Sequence, residues 1–317
     1  MMSSVRQLPL FQSQPATTDD LNKQTPLKAS LALFQQFLHK EGKSEHTIKA
    51  FLSDLSLVGE FLGDEMPLGQ FTTTNLNAFL HWLEYARNVP CSRKSYARRV
   101  TTVKVFFKWV HGVGAISFDP AKAVLQRSGP APLSDVLSMA QIRGAIDFAQ
   151  RMKKGDEQDM RPEMLLRLLL DTGIKKSETM MLTAAHIDRL NPQNPILIVR
   201  HKVRNVYRER KIDLDSEWVK LLDLYLYQYG IKDGAPIINC TSRNLEYILT
   251  DIGEGAAIQI KLSFEVLRWT CAVRDYRLGM DEEGIREKLG LSKISWHETG
   301  AKIRRLSEIL DEEAART

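Results

Sequence analysis

Positive side chains are concentrated in two short stretches of this sequence, and their type points to phosphate chemistry. The first stretch, residues 92–108 (SRKSYARRVTTVKVFFK), contains six cations and no acid. Apolar residues recur on one stripe at helical spacing, which predicts that most of the cations lie on the opposite, solvated face. Such a helix can follow a nucleic-acid backbone while its other face packs. The stripe is Tyr96, Val100, Val103 and Phe107, and the cations are Arg93, Lys94, Arg98, Arg99, Lys104 and Lys108.

The second basic stretch, residues 200–211, carries six cations against a single acid, Glu209. The β-branched, alternating pattern that begins after Asp188 predicts an antiparallel hairpin or a three-stranded sheet. A basic hairpin can enter a groove or lie along phosphates. The alternative is an edge strand that its charges protect from further pairing. The cations of this stretch are Arg200, Lys202, Arg204, Arg208, Arg210 and Lys211.

Overall composition is compatible with nucleic-acid binding but does not establish it. The 317 residues are 43% hydrophobic and carry a net charge of +5, which is ordinary for a globular protein of two domains. Nothing approaches the ~18 consecutive apolar residues of a membrane span. The first residues lack the apolar core of a secretion signal, which predicts a cytoplasmic, nucleoid-associated protein. Cys91, Cys240 and Cys271 are scattered, so we expect neither a disulfide framework nor a metal site.

Leucine and phenylalanine spacing divides the chain into helical segments. Four helical patterns follow one another in the first half, with Ser44, Ser92 and a threonine near Thr74 as expected N-caps. Pro130 and Pro132 then mark a break. The predicted fold is mainly α with a small antiparallel sheet. Its expected parts are a disordered tail (1–24), an all-α domain (25–125), a linker (126–137) and a mainly helical domain that carries the sheet (138–317).

The order and spacing of several motifs resemble the tyrosine recombinase, or phage integrase, family in its Xer-like two-domain form. In the first half these are SEHTIKAFLSDLSLVGEFL, SRKSYARRVTTVKVFFKWV and FDPAKAV. In the second half they are DTGIKKSETMMLTAAHID, the basic hairpin, LSFEVLRWTCAVRDYRLGMD and IREKLGLSKIS. The resemblance covers nearly all of the chain after residue 25. It implies a SAM-like core-binding domain and an α+β domain of the catalytic type, which together enclose a DNA duplex.

The resemblance also implies a chemistry and the positions that would carry it. In that family a tyrosine attacks a DNA phosphate without a metal, two arginines stabilise the phosphorane, and a hairpin lysine acts as general acid. Here the second arginine is retained as Arg268. The lysine corresponds to Lys202, with Arg204 or Arg208 as alternatives, because the turn does not align cleanly.

Four other positions carry residues that cannot perform these roles. Lys175 stands where the first arginine follows Thr-Gly, and a lysine lacks the bidentate fork. Glu265 replaces the histidine three residues before Arg268, and Leu291 replaces the histidine of Leu-Gly-His. Gly300, nine residues after Leu291, occupies the nucleophile position. Without a nucleophile no covalent intermediate can form, so we predict that the chain does not cleave DNA.

Residues near the missing nucleophile offer no clear replacement. No tyrosine occurs after Tyr276, for which we expect a packing role. His297, three residues before Gly300, is interpreted as a surface or helix-cap histidine. We therefore expect no enzymatic activity and no cofactor or metal.

The leading hypothesis is a DNA-binding protein derived from a tyrosine recombinase, which serves recombination or transposition as an accessory, regulatory or architectural factor. Its predicted partner is double-stranded DNA. The predicted contact residues are Arg93, Lys94, Arg98, Arg99, Lys104, Lys175, Arg200, Lys202, Arg204, Arg208 and Arg268.

Two alternatives remain open. The C-terminal segment has an apolar stripe at helical spacing, formed by Ile303, Leu306, Ile309 and Leu310. This stripe could dock onto a second copy of the chain or onto an active recombinase or transposase, and it could equally pack within the chain. The chain would then act as an interaction module of a recombination complex. The other alternative is an active recombinase with displaced catalytic residues.

Overall fold

The structure, a computed structural model, divides into two compact units, Met1–Ala131 and Pro132–Thr317. It describes residues 15–125, 132–203 and 206–314, and of residues 201–203, 206–208, 313 and 314 it describes the backbone only. Most of the predicted tail and half of the predicted linker therefore lie outside the described residues. Within the described part, Leu21 is buried in the first core. The first unit thus begins before residue 25, where we expected it to start.

The first unit is a helical domain, as predicted. Ser44 and Ser92 cap the second and fourth helices by accepting hydrogen bonds from the backbone N–H groups of Thr47 and Ser95, which confirms both expected caps. The third helix is capped by Thr72. The helices are α1 (Leu27–Lys40), α2 (Glu45–Leu62), α3 (Thr73–Tyr85) and α4 (Arg93–Gly112).

Aromatic side chains form the centre of this unit. Phe106 of α4 meets Phe34 of α1 edge to face, with ring centroids 5.1 Å apart. Trp109 packs beside Phe34 at 5.3 Å, and Phe107 meets Phe71 at 5.1 Å. Such pairs add to the stabilisation that burial of their apolar area provides. The apolar stripe of α4 is therefore fully committed to the core, as the sequence predicts.

A buried carboxylate joins α2 to the basic helix α4. Asp54 accepts hydrogen bonds from Arg98 Nη1 at 2.8 Å and from Thr102 Oγ1 at 2.9 Å. The Arg99 Nε lies 3.5 Å from its other oxygen. Burial raises the pKa of the Asp54 carboxyl, and the bond from Thr102 and the two arginine charges oppose that rise.

This carboxylate corrects part of the sequence prediction for α4. We expected most of these cations on the solvated face, but only 13% of the Arg99 side chain is exposed, so Arg99 does not lie there. Arg98 is tied to the same acid but keeps 38% of its side chain exposed. Arg93 and Lys94 are exposed, and Lys104 is half-buried. The cause is long-range, because the acid belongs to another helix.

The second unit surrounds one almost wholly buried helix, α6. Its residues Met164, Leu165 and Leu169 lie in the core together with Trp218, whose indole donates to the Met164 carbonyl at 2.9 Å. The helices of this unit are α5 (Met139–Arg151), α6 (Met160–Thr172), α7 (Lys176–Thr179), α8 (Ser216–Gln228), α9 (Ser242–Gly255), α10 (Phe264–Arg277), α11 (Glu282–Lys288) and α12 (Lys293–Ala314).

The predicted sheet is present as three antiparallel strands in the order β3-β4-β5. Arg200 lies opposite Glu209 in the long β4–β5 ladder. A separate two-stranded ladder, β1 with β2, was not predicted. The strands are β1 (Lys153–Lys154), β2 (Glu157–Gln158), β3 (Ile187–Asp188), β4 (Ile196–Val203) and β5 (Val206–Asp213).

A smaller apolar cluster holds α12 against α10 and α11. Ile303 and Leu306 are buried in it, and Leu310 and Tyr276 pack at its edge. Three of the four residues of the C-terminal stripe, Ile303, Leu306 and Leu310, thus pack within their own chain. In the part of the chain that the structure describes, no helix is long and apolar enough to cross a membrane.

The Asp54 cluster generates a stability prediction. Asp54→Asn removes the buried charge that two arginines share, and it should lower the free energy of unfolding of the first unit by about 1–3 kcal/mol. Hydrogen exchange of the α2 and α4 amides measures this loss in the full chain.

Glu60→Gln is the matched control for that variant. The Glu60 carboxylate is 53% exposed and lies 3.8 Å from Arg87, so its loss should change exchange little. Equal effects of the two substitutions would contradict a structural role for the Asp54 pair.

Candidate nucleic-acid interface

The retained arginine, Arg268, lies on α10 where the ends of two other helices meet. Its Nη1 donates to the carbonyl of Gly173, just after α6. Its Nη2 donates to the carbonyl of Leu289, just after α11, at 2.6 Å. Burial lowers the pKa of this guanidinium, and the nearby Glu178 carboxylate opposes that effect. Arg268 therefore joins three elements of the unit through their unpaired helix-end carbonyls.

A glycine is required at position 173 for two reasons. Gly173 ends α6 in the left-handed conformation, at φ +57°. A Cβ there would lie 3.1 Å from Leu289 Cδ2 and 3.2 Å from Cys271 Sγ. Because residue 173 is a glycine, the end of α6 can lie close to Cys271 of α10 and to Leu289, which follows α11. This position lets the Gly173 carbonyl accept the hydrogen bond from Arg268.

A buried ion pair that the sequence did not reveal lies behind Arg268. Arg210 on β5 donates from Nη1 and Nη2 to the two Glu178 oxygens at 2.9 and 2.8 Å, and from Nε to the Lys288 carbonyl at 2.9 Å. Burial alone would raise the pKa of Glu178, but the Arg210 hydrogen bonds and charge, with the Lys175 amide, hold that pKa below its usual value. Arg210 is thus a structural cation rather than part of an exposed basic face.

Alternation along β5 explains this assignment. Arg210 and Ile212 point inward, whereas Glu209 and Lys211 point outward. On the neighbouring strand Arg200 is exposed and pairs with Glu209 at 2.7 Å. Of the other predicted hairpin cations, the side chains of Lys202 and Arg208, and all of Arg204, lie outside the described residues.

Lys175 is exposed and lies beside this cluster at the start of α7. Partial burial of its ammonium group lowers its pKa, as do the positive charges of Arg268 and Arg210, while Glu178 opposes the shift. Lys175 and Arg268, which the resemblance assigns to the two arginine positions, therefore belong to one group of interacting charges in this unit.

The position of the expected nucleophile is covered by a tryptophan. Gly300 is buried in α12, and a Cβ there would lie 3.0 Å from Cε2 of Trp296, one turn earlier. The Trp296 indole N–H donates to Glu282 at 3.2 Å, which fixes the ring. A side chain at position 300 would therefore crowd this indole.

The remaining candidate positions differ in their surroundings. Leu291 packs against the α10–α12 cluster, so its side chain has an apolar role. Glu265 is exposed in the first turn of α10. His297 is exposed on α12, as expected for a surface histidine. These three residues therefore add no hydrogen-bond donor to the buried Arg268 cluster.

The exposed face of α4 carries a row of cations in the first unit. With about 3.6 residues per turn, side chains spaced by three or four residues share one side of this helix. Val105, at the border of that side, is half-buried and packs against the core. The row is Lys94, Ala97, Thr101, Lys104 and Lys108, all exposed or half-buried.

Sequence relatives match about half of the chain. A family model described as "Phage integrase, N-terminal SAM-like domain" matches residues 31–111. Tyrosine recombinase XerC of Mycobacterium sp. (strain JLS) is 30% identical over 164 residues, which are 51% of this chain and 55% of that protein. XerC of Mycobacterium tuberculosis (strain ATCC 25177 / H37Ra) is 30% identical over 51% of this chain and 54% of its own length. The chain spans about half the length of the curated relatives it matches.

Solved structures are similar over most of both units. The XerH site-specific recombinase bound to palindromic difH substrate superposes with a TM-score of 0.69 at 17% identity, over 94% of this chain and 91% of that one. A λ integrase dimer bound to a COC′ core site has a TM-score of 0.67 at 15% identity, over 86% and 77%. The chain therefore has the fold of these recombinase structures, and its sequence is similar to tyrosine recombinases over about half of its length.

The Glu178–Arg210 pair predicts a pH-dependent stability. Glu178→Gln leaves a buried guanidinium without its anion and should lower the free energy of unfolding by about 3 kcal/mol at pH 7. Because the folded pKa of Glu178 lies below its ordinary value of 4.5, its contribution is complete above that pH and is lost as pH falls through the folded value. Urea unfolding measured from pH 7 down to pH 3 should show that the difference in free energy of unfolding between wild type and Glu178→Gln decreases as the pH falls.

Glu246→Gln serves as the control for this titration. Its carboxylate pairs with Lys176 at 2.6 Å but is half exposed, so its removal should change stability little at any pH. A difference for Glu178→Gln that does not vary with pH would contradict the assigned ion pair.

Proposed function

We propose that this chain binds double-stranded DNA with the body of a tyrosine recombinase and does not cut it. The observation that carries the proposal is a recombinase fold in which Gly300, which the resemblance assigns to the nucleophile position, packs against the Trp296 indole. The chain would then act as an accessory, regulatory or architectural factor in recombination or transposition.

The proposed DNA contacts come from both units. The fold is shared with recombinase structures that contain bound DNA, and the cation row of α4 supplies charge for phosphates. Arg99 is left out, because its guanidinium is turned inward. The proposed set is Arg93, Lys94, Arg98, Lys104, Lys175, Arg200, Lys202, Arg204, Arg208 and Arg268.

Lys175 and Arg268 have unequal parts in this proposal. Arg268 already donates both terminal nitrogens to backbone carbonyls. The exposed Lys175 ammonium is therefore the group that reaches a phosphate, with Arg268 adding a fixed positive charge behind it. A lysine holds a phosphate as a point charge, which suits binding better than the stabilisation of a phosphorane.

Loss of cleavage has several independent supports. Gly300 has no nucleophilic atom, Leu291 cannot donate a hydrogen bond, and Glu265 carries a negative charge. Restoring one group would leave the others missing. The alternative of an active recombinase with displaced residues would need a nucleophile elsewhere near Arg268.

The interaction-module alternative has less support. Docking in trans would use the stripe on α12, but Ile303 and Leu306 are buried against α10 and α11 in the same chain. Packing within the chain accounts for the stripe, and DNA binding accounts for the exposed cations of α4.

DNA binding can be tested by gel shift against duplex DNA over a range of salt concentrations. Wild type should bind in a salt-sensitive way, and a Lys94→Ala/Lys104→Ala double variant should lower the slope of log affinity against log salt by about 2. Lys28→Ala removes a charge from the exposed start of α1 and should leave the slope unchanged. Binding by wild type that does not respond to salt would contradict the proposal.

The absence of cleavage can be tested on a nicked suicide duplex that carries a DNA sequence selected for binding. Denaturing electrophoresis should reveal no covalent protein–DNA adduct for wild type. Gly300→Tyr should also give none, because Leu291 and Glu265 remain and Trp296 fills the adjacent space. A covalent adduct with wild type would show that the chain is an active recombinase.

A further inference from the structure

Two adjacent arginines of α4 meet the same buried carboxylate in different ways. Arg98 and Arg99 both pair with Asp54, whose side chain is 2% exposed. The Arg98 side chain is 38% exposed, against 13% for Arg99. One guanidinium therefore reaches the surface while the other is turned into the domain.

Arg98 is held through one end of its guanidinium. Its Nη1 donates both to Asp54 at 2.8 Å and to the carbonyl of Ala50 at 3.0 Å. Among the described residues no hydrogen bond engages its Nε or Nη2. The anchored end thus fixes the orientation of the plane, and the other donors remain for a ligand.

Arg99 has a different set of contacts. Its Nη1 donates to Cys91 Sγ at 2.8 Å, which ties α4 to the segment just before it. Its Nε lies 3.5 Å from Asp54 and is buried. Arg99 thus supports the fold and presents little surface to a ligand.

An arginine fixed in this manner suits the reading of a base more than the neutralisation of a phosphate. Phosphate contacts tolerate flexible side chains and carry no sequence information, whereas base contacts require a set geometry. A planar fork that is already oriented loses little conformational freedom on binding, and it matches guanine O6 and N7 in the major groove. The side chains of Ala97 and Thr101, on the neighbouring exposed row of α4, are short, so they let the helix approach a groove closely.

We propose that Arg98 is a specificity-determining residue that reads a guanine in the major groove, and that Asp54 is the residue that positions it. This inference rests on the proposed DNA binding. The cations Lys94 and Lys104 on the same helix then contact phosphates and set affinity without sequence preference. We therefore expect substitution of Arg98 to change the sequence preference, and substitution of Lys94 or Lys104 to change the overall affinity.

The test compares Arg98→Gln with Arg99→Gln in the full-length chain. Both substitutions remove one positive charge beside Asp54, and they differ in how far the side chain is exposed. DNA bound by wild type is first selected from a random duplex pool, and affinities are then measured for the selected duplex and for versions with each guanine pair replaced by an adenine pair.

For wild type, one guanine replacement should weaken binding by about 5- to 100-fold. Arg98→Gln should abolish that preference while binding the replaced duplex about as well as Arg99→Gln does. Arg99→Gln should keep the wild-type preference within about twofold. Because each preference is a ratio from one protein preparation, a partly unfolded fraction does not alter it.

Arg98→Lys covers the case in which Arg98→Gln does not fold. It keeps a charge for Asp54 but replaces the fork by one ammonium, and it should reduce the guanine preference. The inference is overturned if the Arg98 variants weaken every duplex equally, or if the selected DNA has no preferred guanine. Failure of wild type to bind any duplex would instead contradict the proposed function.

Discussion

Buried charge has to find a partner inside the protein, and this requirement shapes the second unit around Arg268. Removing an ion from water costs several kcal/mol unless an opposite charge and further hydrogen bonds replace the lost hydration. Glu178 and Arg210 satisfy this requirement by forming a bidentate ion pair. Arg268 satisfies it by donating hydrogen bonds to the carbonyls of Gly173 and Leu289. The polar groups of the site are thus largely satisfied by the fold itself, which is why the proposed phosphate contact is assigned to the exposed Lys175.

The same requirement acts in the first unit with a different result. Asp54 is buried, as Glu178 is, but it pairs with two arginines of the same helix, Arg98 and Arg99. The carboxylate has two oxygens, and only Arg98 reaches it from the surface side. The ion pair that stabilises the α2–α4 contact therefore also leaves one oriented guanidinium at the surface. The interaction that stabilises the domain is thus also the one on which the proposed recognition by Arg98 depends.

Local patterns were sufficient for much of this fold. Apolar spacing predicted the helices of both units, the caps at Ser44 and Ser92 lie where expected, and alternation predicted the β4–β5 hairpin. The inward-facing cations could not be predicted in this way. Asp54 is 44 residues from Arg98, and Glu178 is 32 residues from Arg210, so neither partner shows in a local window. A charge run indicates cations, but only tertiary contacts decide which of them face solvent.

The candidate site shows the same limit. The motif order predicts that Gly300 stands at the nucleophile position, whereas the contact of the Trp296 indole with that glycine depends on tertiary packing. The indole is bonded to Glu282, and Glu282 is also paired with Arg304, so the ring belongs to a connected set of contacts. A side chain at position 300 would crowd that set. The proposed loss of cleavage therefore rests on packing within α11 and α12 as well as on the missing hydroxyl, whereas the proposed DNA binding rests largely on the cations of α4 in the first unit.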